Sequence, residues 1–178
     1  VIGWLAGRTV AAHLDDYASL VFGLVELYEA GFEPRHLREA LTLNDGMLRL
    51  FRDPDGGGLL FSGEGNERLL APQRETYDGA LPSSSALALW NLARLGLLGG
   101  DTKLLTRAQE LLRSYGTEVR EAPQGRLGTL IALDVLVGPA RTVVVAGRPG
   151  GAGTRALLRA LGGRVPPGPP GGRRRGGG

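Results

Sequence analysis

The sequence predicts a mainly α chain, and three observations carry that expectation. Apolar residues recur at the 3.6-residue spacing of an amphipathic helix in one segment after another from Asp15 onward. Gly, Pro, Ser, Asn and Asp fall where those segments start and stop. The clearest strand signal, the β-branched run Thr142-Val143-Val144-Val145-Ala146, arrives late in the chain.

The first helix is predicted from Asp15 to about Ala30, because Tyr17, Leu20, Val21, Leu24, Leu27 and Tyr28 fall on one face. Asp15 or Asp16 caps it, since a carboxylate there accepts from the open first-turn amides and complements the helix dipole. Gly31 is expected to end it. Pro34 suits the first turn of a second helix, whose face of Leu37, Ala40, Leu41, Met47, Leu48 and Phe51 runs to about Arg52, interrupted at Asn44-Asp45-Gly46. Asp53-Pro54-Asp55-Gly56-Gly57-Gly58 is turn chemistry, and Leu59-Leu60-Phe61 with Leu69-Leu70 across a polar turn predicts a short hairpin. A long insertion held on rigid helices is where a site tends to sit.

Pro82-Ser83-Ser84 opens a third helix through Leu98, with Leu87, Trp90, Leu92 and Leu95 on its apolar side, and Gly99-Gly100 stops it. Asp101-Thr102 caps a fourth, with Leu104, Leu105, Ala108, Leu111, Leu112 and Tyr115 on one face and Arg107 and Glu110 on the other. The pair reads as a helical hairpin with a short turn. A fifth helix is predicted from Arg126 to Val137, then the strand at 142–146 and a short helix from Thr154 to Leu161. Residues 166–178 contain only Gly, Pro and Arg and are expected to be disordered.

Composition narrows the function classes. The formal net charge is +3, and the tail residues Arg173, Arg174 and Arg175 account for it, which leaves the body of the chain balanced. A nucleic-acid footprint needs basic residues gathered on a folded face, so no nucleic-acid partner is expected. A hydrophobic fraction of 42% supports a sizeable core. With no Cys, disulfides, thiolate metal sites and Cys nucleophiles are excluded, and two His make a multi-histidine metal site unexpected; no cofactor and no metal are predicted. No apolar run approaches the ~20 residues that span a bilayer, and Val1-Ile2-Gly3-Trp4-Leu5 lacks the basic start of a signal peptide. The expectation is a soluble, cytoplasmic protein without a membrane partner. A start at Val1 reads as a fragment.

The motifs were weighed against simpler roles. Gly151-x-Gly153-x-x-Ala156 formally matches a dinucleotide fingerprint, but no second strand and no acidic residue about 20 positions on follow it. Asp15, Asp16, Glu64, Glu67, Glu75 and Asp78 sit at a helix start or in the insertion, where two carboxylates can converge as an acid and base pair. Helix capping competes for the first two and turn chemistry for Asp78-Gly79. His13 and His36 have no triad or ligand partner at fixed spacing, and Ser83, Ser84 and Ser85 suit an N-cap better than a nucleophile. Trp4, Trp90, Tyr17, Tyr28 and Tyr77 are the candidates to stack on sugar rings, with Trp90 and Tyr28 better placed as core.

Taken in order, Leu14-Asp15-Asp16-Tyr17-Ala18, Phe51-Arg52-Asp53 with Gly56-Gly57-Gly58 before Leu60-Phe61, Tyr77-Asp78-Gly79-Ala80-Leu81-Pro82-Ser83 and Val143-Val144-Val145-Ala146-Gly147 resemble one family. It is the thioredoxin-domain family of YyaL and spermatogenesis-associated protein 20. The resemblance covers about residues 12 to 161. It implies an N-terminal thioredoxin-like domain followed by an α/α toroid similar to six-hairpin glycosidases and N-acylglucosamine 2-epimerases, with this chain as the later part of the toroid. The family pattern continues Gly-Asn-Ser after Asp-Gly-Ala-x-Pro-Ser; here Ser84, Ser85 and Ala86 follow instead. A six-hairpin ring needs about 250 residues or more, so the chain would supply part of it and expose apolar faces that other hairpins cover.

The resulting expectation is a mainly α, partial six-hairpin glycosidase-like toroid at residues 1–138 with a short hairpin insertion, a strand-helix segment at 139–165 and a tail at 166–178. What the resemblance implies is a carbohydrate-like ligand in the toroid's cleft, with Asp15, Asp16, Glu75 and Asp78 as catalytic candidates and Tyr17, Tyr77 and Ser83 as ligand-binding ones. The competing reading is a non-catalytic helical module that supports a thioredoxin-like domain. In either case the expected partners are the thioredoxin-like and remaining toroid segments of the same protein.

Overall fold

The computed structural model describes residues 2–5, 8–63, 73–139, 143, 145–148 and 150–162 of the 178-residue chain. It divides into two compact units, Val1–Val137 and Gly138–Gly178. The first opens with a hairpin that sequence reading did not anticipate, β1 (Ile2–Leu5) and β2 (Arg8–Ala11), paired antiparallel with Ile2 opposite Ala11 and Leu5 opposite Arg8. Six helices follow: α1 (Leu14–Gly31), α2 (Pro34–Leu50), α3 (Ser84–Gly99), α4 (Thr102–Ser114), the short α5 (Gly116–Glu121) and, after a 3-10 turn at Pro123–Gly125, α6 (Leu127–Val137). The fold is mainly α.

Helix α3 is the centre of this unit, packed against α1, α4 and α6, while α2 covers the other side of α1. Its composition explains the position: Ala86, Ala88, Leu89, Leu92, Ala93 and Leu95 are all buried, and a helix apolar over most of its circumference belongs inside a bundle. Small residues let its neighbours approach. A Cβ on Gly96 would stand 2.8 Å from the Leu105 side chain and 3.2 Å from the Leu105 amide nitrogen, and one on Gly128 would stand 2.9 Å from the Ala86 Cβ. Helix α4 is the amphipathic partner that its sequence describes, with Leu104, Ala108 and Leu111 buried and Arg107 paired to Glu110 on the outside at 3.0 Å. Asp101 caps it, accepting from the Lys103 and Leu104 amides at 2.8 and 3.4 Å.

The expected end of α1 at Gly31 holds, while two later expectations do not. Gly31 is the last residue of α1, and the left-handed residue that closes it is Phe32, at φ 52°. The Phe32 amide donates to the Tyr28 carbonyl at 2.6 Å and its ring meets Tyr28 edge-on, so a ring contact offsets a conformation that a bulky side chain rarely adopts. The helix α2 runs unbroken through Asn44-Asp45-Gly46. There Asn44 is fully buried and a Cβ on Gly46 would stand 3.5 Å from the Tyr17 ring, so tertiary packing overrides local turn propensity. The strand expected at 142–146 is absent at Val143, Val145 and Ala146, and Thr142 and Val144 lie outside the described residues. A strand needs a ladder partner for its backbone groups, and among the described residues none pairs with it.

In the insertion, the hairpin partner Leu69-Leu70 lies outside the described residues. What is described is a tighter turn: Arg52 bridges Leu59, the Asp53 amide donates to the Gly58 carbonyl at 3.1 Å and the Leu60 amide to the Phe51 carbonyl at 2.8 Å. The second unit contains helix α7 (Ala152–Gly162), and among the described residues no strand of the kind a dinucleotide fingerprint requires precedes it. The tail expected at 166–178 lies outside the described residues.

Candidate functional site

Helices α1 and α3 diverge around an open cleft of about 660 Å³. It is lined by Asp15, Ser19 and Phe22 of α1, a stripe at i, i+4 and i+7, and by Ser84, Leu87 and Trp90 of α3. The segment from Glu75 to Pro82 crosses the mouth, contributing Glu75, Tyr77 and Leu81. The aromatic wall is held from behind. The Phe22 and Trp90 ring centroids stand 5.3 Å apart, and the Arg94 guanidinium carbon lies 5.5 and 5.6 Å from them. Arg94 is itself tied to α1 by Glu26 at 2.6 Å and Glu29 at 2.8 Å, so it fixes both rings by cation–π attraction and ion pairing together.

The start of α3 concentrates most of the sequence-predicted polar groups, and it shows what occupies them. The Ser83 amide donates to Asp78 Oδ1 at 2.8 Å, the Ser84 amide to Glu75 Oε2 at 3.3 Å, the Ser85 amide to the Glu75 carbonyl at 3.3 Å, and the Ala86 amide to Ser83 Oγ at 3.3 Å. These are the orphan donors of a helix start, all satisfied from within the chain. Asp78 does this twice: its Oδ2 also accepts from the Gly128 amide at 2.7 Å, in the first turn of α6. The Asp78 amide in turn donates to the Gly125 carbonyl at 2.7 Å.

A second set of bonds fixes the segment that carries Glu75 and Tyr77. Arg74 forms an ion pair with Asp53, with its Nε donating to Asp53 Oδ2 at 2.7 Å, and the guanidinium lies against Gly56. Burial pushes the Asp53 carboxyl up, but the Asp55 amide, Arg74 and the Gly56 amide outweigh it and hold Asp53 below its ordinary value. Phe61 links three pieces: its amide donates to the Gln73 carbonyl at 2.8 Å, its carbonyl accepts from the Leu14 amide at 3.0 Å, and its ring stacks on His13 at 4.9 Å.

Of the residues that the sequence singled out, Asp15, Glu75 and Tyr77 line the cleft. Asp16 does not; its Oδ2 accepts from the His13 amide at 2.9 Å, which closes the first turn of α1. Asp78 and Ser83 serve as caps. Tyr17 is buried on the far face of α1, its ring edge-on to Phe51 at 5.4 Å, and Trp4 lies among the residues whose side chains are not described. The Glu64 and Glu67 candidates lie outside the described residues. Ser19 and Phe22 were missed, and Ser84, Leu87 and Trp90, read mainly as helix cap and core, also line the cleft. A helical stripe counted from Asp15 would have found the first two, because the residue one and two turns on must share its face.

Two further observations bound the chemistry. Among the described residues, no group of three or more His, Asp and Glu converges to hold a metal ion, and no helix is long and apolar enough to cross a membrane. The Tyr115 hydroxyl is buried behind α3, facing Ser85 and the Leu59 backbone without closing a full hydrogen bond to either, and burial raises its pKa.

No protein-family model matches the chain. Curated relatives do. The chain is 33% identical over 149 residues to spermatogenesis-associated protein 20 of Mus musculus, 34% to that of Rattus norvegicus and 32% to that of Homo sapiens. In each case the match covers 83% of this chain and 19% of the relative, so the chain spans about a fifth of their length. Identity of 32–34% over 83% of the chain places it in the spermatogenesis-associated protein 20 family.

Proposed function

We propose that the intact protein holds a carbohydrate-like ligand in the cleft between α1 and α3. The observation that carries this reading is the composition of the cleft: an aromatic wall of Phe22 and Trp90, an exposed Tyr77 across the mouth, and the carboxylates Asp15 and Glu75 among hydroxyls. Sugars present apolar ring faces to aromatic side chains and hydroxyls to carboxylates, and this cleft offers both at once. In this reading Asp15 and Glu75 contact the ligand, while Asp16, Asp78 and Ser83 hold the helix starts from which the walls project. The α/α toroid is part of the same proposal, with the remaining hairpins and a thioredoxin-like domain supplied by the rest of the protein in a cytoplasmic setting. The test is thermal unfolding of the intact protein across a panel of mono- and disaccharides, since a ligand that binds only the native state raises its stability. A shift that disappears in Tyr77→Ala and Asp15→Ala supports the proposal; a flat panel from well-folded protein refutes it.

A second reading, a non-catalytic helical module that docks on a thioredoxin-like domain, draws on a different observation. Leu127, Ile131 and Val137 of α6 are exposed at 58, 43 and 72%, an apolar surface of the kind that interfaces use. Co-purification of the two parts, insensitive to any sugar, supports this reading, and independent behaviour counts against it.

A further inference from the structure

The electrostatics of the cleft select among sugars. We infer that it takes a non-anionic sugar, binds an amine-bearing one more tightly than its neutral parent, and rejects phosphorylated sugars. This rests on the carbohydrate reading above and narrows it.

Among the described residues, those that line the cleft include two carboxylates, Asp15 and Glu75, and no Lys, Arg or His. Two arginines beside the cleft are held in ion pairs. Arg94 backs the Phe22 and Trp90 rings with its charge paired to Glu26 and Glu29, and Arg74, in the adjoining hollow that shares Glu75 and Tyr77, is paired to Asp53. The other device by which proteins hold a phosphate is an open helix N-terminus. The start of α3 borders this cleft, yet its amides are spent on Asp78, Glu75 and Ser83. A phosphate would have to displace a carboxylate that is covalently part of the chain, while itself repelled by Asp15. A protonated amine meets the opposite situation. One oxygen of Glu75 is engaged by the Ser84 amide and one of Asp15 by the Asp16 amide, which leaves the second oxygen of each outside those bonds.

The experiment is calorimetric titration of the intact protein with matched neutral, 2-amino and 6-phosphate forms of glucose, galactose and mannose, in mildly acidic low-salt buffer where the amine is charged. For a sugar that binds, the amino form should bind about 3- to 10-fold more tightly than the neutral form and the phosphate most weakly, with the spread closing in high salt. Asp15→Asn should narrow the amino preference in a protein that still unfolds cooperatively, since Asn keeps an acceptor for the Asp16 amide, and Glu75→Gln should do the same while retaining an acceptor for the Ser84 amide. A 6-phosphate that binds as tightly as its neutral parent overturns the inference and leaves the carbohydrate reading standing. An absence of heat with every sugar overturns both.

Discussion

Asp78 shows how a single side chain can look catalytic in sequence and be structural in space. Its two oxygens cap two helices, α3 at Ser83 and α6 at Gly128. Each cap is worth about 1 kcal/mol, so Asp78→Ala should lower unfolding free energy by about 2 kcal/mol, read as a shift in urea midpoint at unchanged slope. A loss of sugar binding in that variant without any loss of stability would contradict the capping role. Asn44 gives the opposite prediction. It is fully buried in α2, and among the described residues neither its amide nitrogen nor its oxygen has a hydrogen-bond partner. Desolvating such a group without compensation is unfavourable, so the near-isosteric Asn44→Leu should raise stability by about 1 kcal/mol, and a lower melting temperature would show that the amide is satisfied after all.

Among elements, the α3–α4 pair is a close-packed joint. The Gly96 position meets the Leu105 backbone as well as its side chain, so the strain cannot be relieved by a rotamer change alone. Gly96→Ala should therefore cost about 1–3 kcal/mol despite the better helix propensity of Ala, measurable by denaturant titration. This joint was legible in the sequence: the Gly99-Gly100 break, the Asp101 cap and the alternation of apolar and charged residues in α4 each follow from local rules that the structure obeys. Other features were less legible. The passage of α2 through Asn44-Asp45-Gly46 depends on Tyr17 resting on Gly46, and the closure of α1 at Phe32 depends on the Tyr28 ring. The Tyr28–Phe32 contact is local, four residues apart within one helix end, whereas the Tyr17–Gly46 contact crosses helices and no window of sequence contains it. The same holds for the cleft, where periodicity places Asp15, Ser19 and Phe22 on one face but only the packing of α1 on α3 brings Trp90 against Phe22.

At the scale of the molecule, stability should fall on both sides of neutrality for separate reasons. Asp53 is held below its ordinary value of 3.8, so the folded chain loses that proton more readily than the unfolded one. Its contribution is complete above 3.8 and is lost as pH falls through the lower folded-state value. Tyr115 is raised above its ordinary 10.0 by burial, so the folded chain keeps its proton longer, and stability is complete below 10.0 and erodes as pH rises towards the folded-state value. Tyr115→Phe should flatten the alkaline limb of a plot of unfolding free energy against pH and leave the acid limb alone. Coincident alkaline slopes in the two proteins would remove Tyr115 from the explanation.

The double cap at Asp78 also bears on how the bundle breathes. Helices α3 and α6 begin far apart in the chain, yet their first turns share one carboxylate. Freeing the amide of Ser83 or of Gly128 means giving up the same anchor, so the two should exchange their hydrogens with solvent as one opening event, with equal protection that collapses together when Asp78 is replaced. Two helix starts would then behave as a single latch.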